Sequence, residues 1–109
     1  MRNSKVRARI AAGKLRLRLR DLRNLGSRSE GMLGRIGVHS VEQLRDRGAV
    51  RTFHELRQAG VTSSLNMLWA LAGALEPWPE GRHWREVARG DDRLSLLLAL
   101  DDFERGDRR

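Results

Sequence analysis

Cysteine is absent from this 109-residue chain, so neither a disulfide framework nor a thiolate metal site is open to it. Tyrosine is absent too, and two phenylalanines with three tryptophans are too few rings for a base-stacking platform. Long apolar runs are missing. The most apolar stretch, Leu65 to Leu75, is shorter than the roughly 20 residues needed to cross a bilayer, which argues against membrane insertion. Residues 1–20 alternate apolar and basic side chains where a secretory leader would be continuously apolar. A cytoplasmic location follows by default. A chain this short has apolar material for one core, and hence for one domain.

Acidic residues are missing from the first fifth of the chain. Arg2, Lys5, Arg7, Arg9, Lys14, Arg16, Arg18 and Arg20 stand there unopposed, while 14 acids offset the basic residues of the remainder. The whole net charge of +8 therefore resides in a basic arm, residues 1–20, on a neutral body. Such an arm suits an anionic partner, nucleic acid or acidic lipid. A solvated leader that serves solubility is the plainer alternative.

Periodicity points to helices throughout. Leu15, Leu19 and Leu22 follow helical spacing although Leu15 to Arg20 also alternates like a strand; with no second strand to pair, a helix over about 13–23 is favoured. Asn24-Leu25-Gly26-Ser27 reads as a turn in which Gly26 takes positive φ and Ser27 caps the next helix. That helix, over about 28–36, turns Met32, Leu33 and Ile36 inward and ends at Gly37. Ser40-Val41-Glu42-Gln43 fits a capping box for a helix that runs to Gly48. Ala49, Val50, Phe53 and Leu56 mark the next, closed by Gly60. Thr62, Ser63 or Ser64 caps Leu65 to about Glu76, which has almost no polar face and should be the buried spine, with Trp69 in the core. Pro77-Trp78-Pro79 stops it. A short turn with Trp84 inside follows, then a helix capped by Asp91 or Asp92 and running through Phe103, with Leu94, Leu97 and Leu98 on one face. The body is thus placed at 21–104, with a flexible tail at 105–109.

Catalytic chemistry finds little footing. His39, His54 and His83 lie on separate elements without metal-ligand spacing and read as surface or capping residues. No glycine-rich phosphate loop is present, and nothing calls for a cofactor. The Leu22–Gly26 turn is the sharper feature. A turn between two helices aims backbone N–H groups and a helix N-terminus outward, where they can hold a phosphate. Arg23 and Arg28 flank it, and the arm feeds into it. An ordinary αα-hairpin closed by a glycine is the competing explanation.

The turn opens a longer pattern: Leu22-Arg23-Asn24-Leu25-Gly26, Ser29, Leu33, Gly37-Val38-His39-Ser40-Val41-Glu42-Gln43-Leu44, Gly48-Ala49-Val50, Phe53, Leu56, Ser64 to Leu71, Gly73-Ala74-Leu75 and His83-Trp84. From Leu22 to about Leu100 the chain resembles the C-terminal domain of the TfoX (Sxy) family, bacterial regulators of competence for DNA transformation. The resemblance implies a non-enzymatic, all-α, small multi-helix domain whose first part is similar to a helix-hairpin-helix unit. Its hairpin would be Asn24-Leu25-Gly26, with a helix starting near Ser27. DNA-gripping units of this kind usually have glycine at the Asn24 position, and the family often has proline at the Ser27 position. Regulators of this type carry a separate N-terminal domain, where this chain has an Arg-rich segment before the match.

Three functions stay open at this level. The first is regulation of competence by contact with DNA, or with a DNA-bound transcription factor. The residues engaged would be Lys5, Arg7, Arg9, Lys14, Arg16, Arg18, Arg20, Arg23, Asn24, Gly26, Ser27 and Arg28. The second is protein docking without DNA contact. The third is association of the arm with an anionic membrane surface. Oligomeric state is not legible.

Overall fold

A computed structural model describes residues 17–76 and 81–107. The described residues are helical and contain no strand: a 3-10 turn Leu19–Asp21, then α1 Ser27–Gly34, α2 Val41–Gln58, α3 Leu65–Ala74, α4 Trp84–Arg89 and α5 Asp92–Asp107. α3 packs on α2 and α4, α5 packs on α2 and α4, and the 3-10 turn rests on α1.

Helix boundaries follow local chemistry. The Ser40 hydroxyl accepts from Gln43 N at 3.1 Å, and the Gln43 side chain accepts from His39 N at 2.7 Å, one residue earlier than a strict capping box. Gly48 (φ 79°, ψ 165°) breaks α2 at the position where the sequence calls for a stop, because only glycine enters that region without steric cost. Ser64 caps α3 by accepting from Asn66 N at 3.2 Å. α5 runs on to Asp107, past the Phe103 expected.

α3 is the spine. Leu68, Trp69, Ala70, Leu71, Gly73 and Ala74 are all buried, Trp69 with 4% of its surface exposed. Its first turn, Leu65 and Asn66, is exposed, and Met67 and Ala72 are half-buried. Gly73 is required by close approach: a Cβ there would overlap the Arg82 carbonyl oxygen and come within 2.8 Å of Asn24 Nδ2. The Gly73 carbonyl accepts from Arg82 N at 3.1 Å, which brings residues 81–83 against the end of α3. Arg82 donates to Asp92 at 2.6 Å and to Glu76, and these two bonds hold its guanidinium charged beyond the ordinary arginine range.

Two expectations are corrected, and two are refined. Residues 17–23 do not form a helix: Arg18 is extended (φ −95°, ψ 158°), and a single 3-10 turn follows. Three residues per turn stack Leu19 and Leu22 on one side, and both are buried. Gly13 to Arg16, the start of that expected helix, lie outside the described residues. His54 is no surface residue; it is 6% exposed, edge-on to the Phe103 ring with centroids 5.1 Å apart. Trp84 is half-buried at the margin of the core. On α5, Leu100 is buried and Leu96 and Leu97 are partly so, whereas Leu94 is 65% and Leu98 57% exposed. With leucine at all but one of the positions 94–98, two adjacent faces are apolar, and the seating of α5 on α2 and α4 selects between them.

Candidate nucleic-acid interface

The hairpin at 22–26 is built from the inside. Leu22 and Leu25 are buried on either side of the turn, and Leu25 N donates to the Leu22 carbonyl at 3.1 Å. The left-handed residue is Asn24 (φ 71°), not Gly26, which is extended (φ −144°, ψ −165°). Asparagine tolerates this region better than other side chains, so it serves where glycine is usual. Asn24 also fixes the hairpin to the rest of the fold. Its Nδ2 donates to the Arg82 carbonyl at 2.7 Å and the Ala70 carbonyl at 3.2 Å, and its Oδ1 accepts from Trp84 N at 3.0 Å. The side chain thus points into the domain, joining the hairpin, α3 and the start of α4.

Gly26 is the N-cap of α1, and Ser27 is the first helical residue, so Ser27 does not cap as the sequence suggested. No side chain bonds to the cap, which leaves the first-turn N–H groups without a side-chain acceptor at the positive end of the helix dipole. Nothing stands within 4 Å of where a Cβ on Gly26 would lie. Ser27 and Arg28 are exposed, and Arg28 has no ion pair among the described residues. Arg23 donates to the Gly81 carbonyl at 3.2 Å and lies 3.8 Å from Glu86.

The end of the arm is bound to α1. Glu30 accepts from Arg20 Nη2 at 2.7 Å and Nε at 3.0 Å, and from Arg18 Nη2 at 3.4 Å. Hydrogen bonding from Arg20 is the main cause that holds the Glu30 carboxyl below its ordinary range, against a smaller opposing effect of burial. Asp21 accepts from Arg18 N at 2.9 Å. Beside this network lies a cleft of about 490 Å³, with Leu17, Arg18, Glu30, His39 and Arg45 among its walls.

Of the residues picked from the sequence, the fold therefore places Gly26, Ser27 and Arg28 at the start of α1, while Arg23 turns to Gly81 and Glu86. Asn24 is turned inward. Arg18 and Arg20 are engaged by Glu30, an acid whose partners are 10 and 12 residues away and which no spacing rule singles out. Lys5, Arg7, Arg9, Lys14 and Arg16 lie outside the described residues. Sequence reasoning missed α4 as a neighbour of the hairpin, because the contact that joins them spans 60 residues. His83 does cap α4, its Nδ1 accepting from Arg85 N at 3.1 Å. Among the described residues no three His, Asp or Glu side chains are grouped to hold a metal ion, and no helix is long and apolar enough to cross a membrane.

These features define a small all-α domain with a basic turn followed by a helix that starts uncapped. The chain belongs to the TfoX C-terminal domain family, whose model matches residues 16–100. It is 37% identical over 59 residues to the DNA transformation protein TfoX of Haemophilus influenzae, covering 54% of this chain and 27% of that protein. Against DNA transformation protein TfoX1 of Aliivibrio fischeri it is 33% identical over 85 residues, covering 77% of this chain and 39% of the relative. The match thus spans less than half the length of either relative. No solved structure matches it significantly.

Proposed function

We propose that this domain is a regulatory, non-catalytic module that acts in DNA transformation, in the cytoplasm, by contacting DNA through the arm and the start of α1. Its kinship with proteins named for DNA transformation supports the process. The observation that carries DNA contact is the uncapped N-terminus of α1, where exposed Arg28 stands beside the open backbone of Gly26. A phosphate there would accept from the first-turn N–H groups and meet the positive end of the dipole. Contact with a DNA-bound transcription factor would engage the same surface through a carboxylate in place of the phosphate.

Gly26→Asp tests this reading. Aspartate at the N-cap accepts from the first-turn N–H groups itself and occupies the anion position from within. The variant should be at least as stable as the parent, and its affinity for duplex DNA should fall several-fold at low salt. Arg28→Glu should do the same with Tm nearly unchanged, since an exposed charge change alters stability by less than about 0.5 kcal/mol. Unchanged DNA affinity in both variants refutes contact at the hairpin.

A second reading, protein docking without DNA contact, is favoured by the exposed Leu94 and Leu98 of α5. They lie four residues apart on one face, as an anchor pair for a partner helix would. Leu94→Ser with Leu98→Ser should then abolish a partner interaction while leaving DNA binding intact.

A further inference from the structure

A second basic edge adjoins the hairpin. Asn24 accepts from Trp84 N at 3.0 Å and donates to the Arg82 carbonyl at 2.7 Å, while Arg23 reaches the Gly81 carbonyl and approaches Glu86. The start of α4 is thereby held against the turn that leads into α1. On α4, Val87 is buried and faces the core, so Arg85 and Arg89, four residues apart, share the outward side. Neither forms an ion pair among the described residues, in contrast to Arg82, which binds two carboxylates. Glu86, the acid next to Arg85, is the one that Arg23 approaches. The Arg85 guanidinium lies over the Trp84 ring, 5.3 Å from its centroid, and the His83 ring stacks on the same indole at 5.6 Å. An arginine held this way has already lost part of its rotamer freedom, and its N–H fork stays available to an anion.

We propose that Arg85 and Arg89 form a second phosphate-contacting edge, held beside the hairpin by Asn24, on the same duplex that the start of α1 meets. This rests on the reading of the hairpin as a DNA contact, and it adds an element that neither the arm nor the turn supplies. Two edges from separate helices fix the orientation of the domain on the duplex, which a single point of contact cannot do.

The full chain with Arg85→Gln and Arg89→Gln, measured on a random-sequence duplex across a salt series, tests the proposal. Each phosphate contact contributes about −0.9 to the log–log salt slope, so losing two should make the slope shallower by about 1.8. Arg85→Lys with Arg89→Lys should restore most of it, because the charge returns while the fold is unaltered. Arg28→Glu, measured alongside, separates the two ideas. A weakened Arg28→Glu with an unchanged slope in the glutamine variant overturns this proposal and leaves the hairpin reading standing. A shallower slope with unaffected Arg28→Glu leaves an α4 contact without the hairpin beside it, which overturns the hairpin reading and the two-edge arrangement built on it. An absence of DNA binding by the parent chain overturns both.

Discussion

Asn24 is the residue on which the placement of the hairpin depends, and two substitutions separate its contributions. Asn24→Gly keeps the left-handed backbone but removes three hydrogen bonds: to the Ala70 and Arg82 carbonyls and from Trp84 N. At a net 0.5–1.5 kcal/mol each, the loss is about 2–4 kcal/mol, toward the upper end if Trp84 N finds no other acceptor. Asn24→Ala removes the same bonds and forces a side chain with no polar compensation into φ near 71°, for about 1–2 kcal/mol more. A domain of this size has about 5–15 kcal/mol of total stability, so the alanine variant should lose a large share of it. Urea denaturation followed by tryptophan fluorescence reads both values. A glycine variant within about 0.5 kcal/mol of the parent would refute the claim that this side chain joins the hairpin to α3 and α4.

Three further outcomes follow from the packing and the charges. Gly73→Ala should destabilise by about 1–3 kcal/mol despite alanine's better helix propensity, because its methyl group would meet the Arg82 carbonyl backbone; thermal unfolding measures it. Trp69→Ala should cost about 3–5 kcal/mol by chemical denaturation, and a shift below about 1 kcal/mol would place the ring outside the core. Glu30 has a lowered folded pKa, so its stabilising bonds to Arg20 and Arg18 are fully present above the unfolded value of about 4.3 and are lost as the pH falls through the folded one. Glu30→Gln should remove that part of the acid dependence, as seen in unfolding curves recorded at stepwise lower pH.

The helical order of the fold was legible because each helix carries its own signals. Ser40, Gly48 and Ser64 act through neighbours within a few residues, and the apolar run from Leu68 to Leu71 buries itself wherever it is placed. Interactions between distant parts were not legible. Asn24 reads as a turn residue, and nothing local says that it reaches Trp84. Gly26 attracted the positive φ because glycine bears it most easily, yet asparagine took that position and left glycine as an open N-cap. Leu94 and Leu98 match helical spacing as well as Leu96 and Leu100 do, and tertiary seating chose the latter. The candidate interface was half legible for the same reason: composition revealed the cations, but Glu30 determines which of them are engaged within the chain.

The affinity of the full chain for random duplex DNA as a function of salt tests DNA contact most directly. Six arm cations precede Leu17 and two more are held by Glu30. If half of the six engage phosphate together with Arg28, about four counterions are released and the log–log slope should be about −3 to −4. A slope in that range that becomes shallower in Arg28→Glu is the result predicted. A slope near zero, or a steep slope that Arg28→Glu and Gly26→Asp leave untouched, would contradict a DNA contact built on this hairpin.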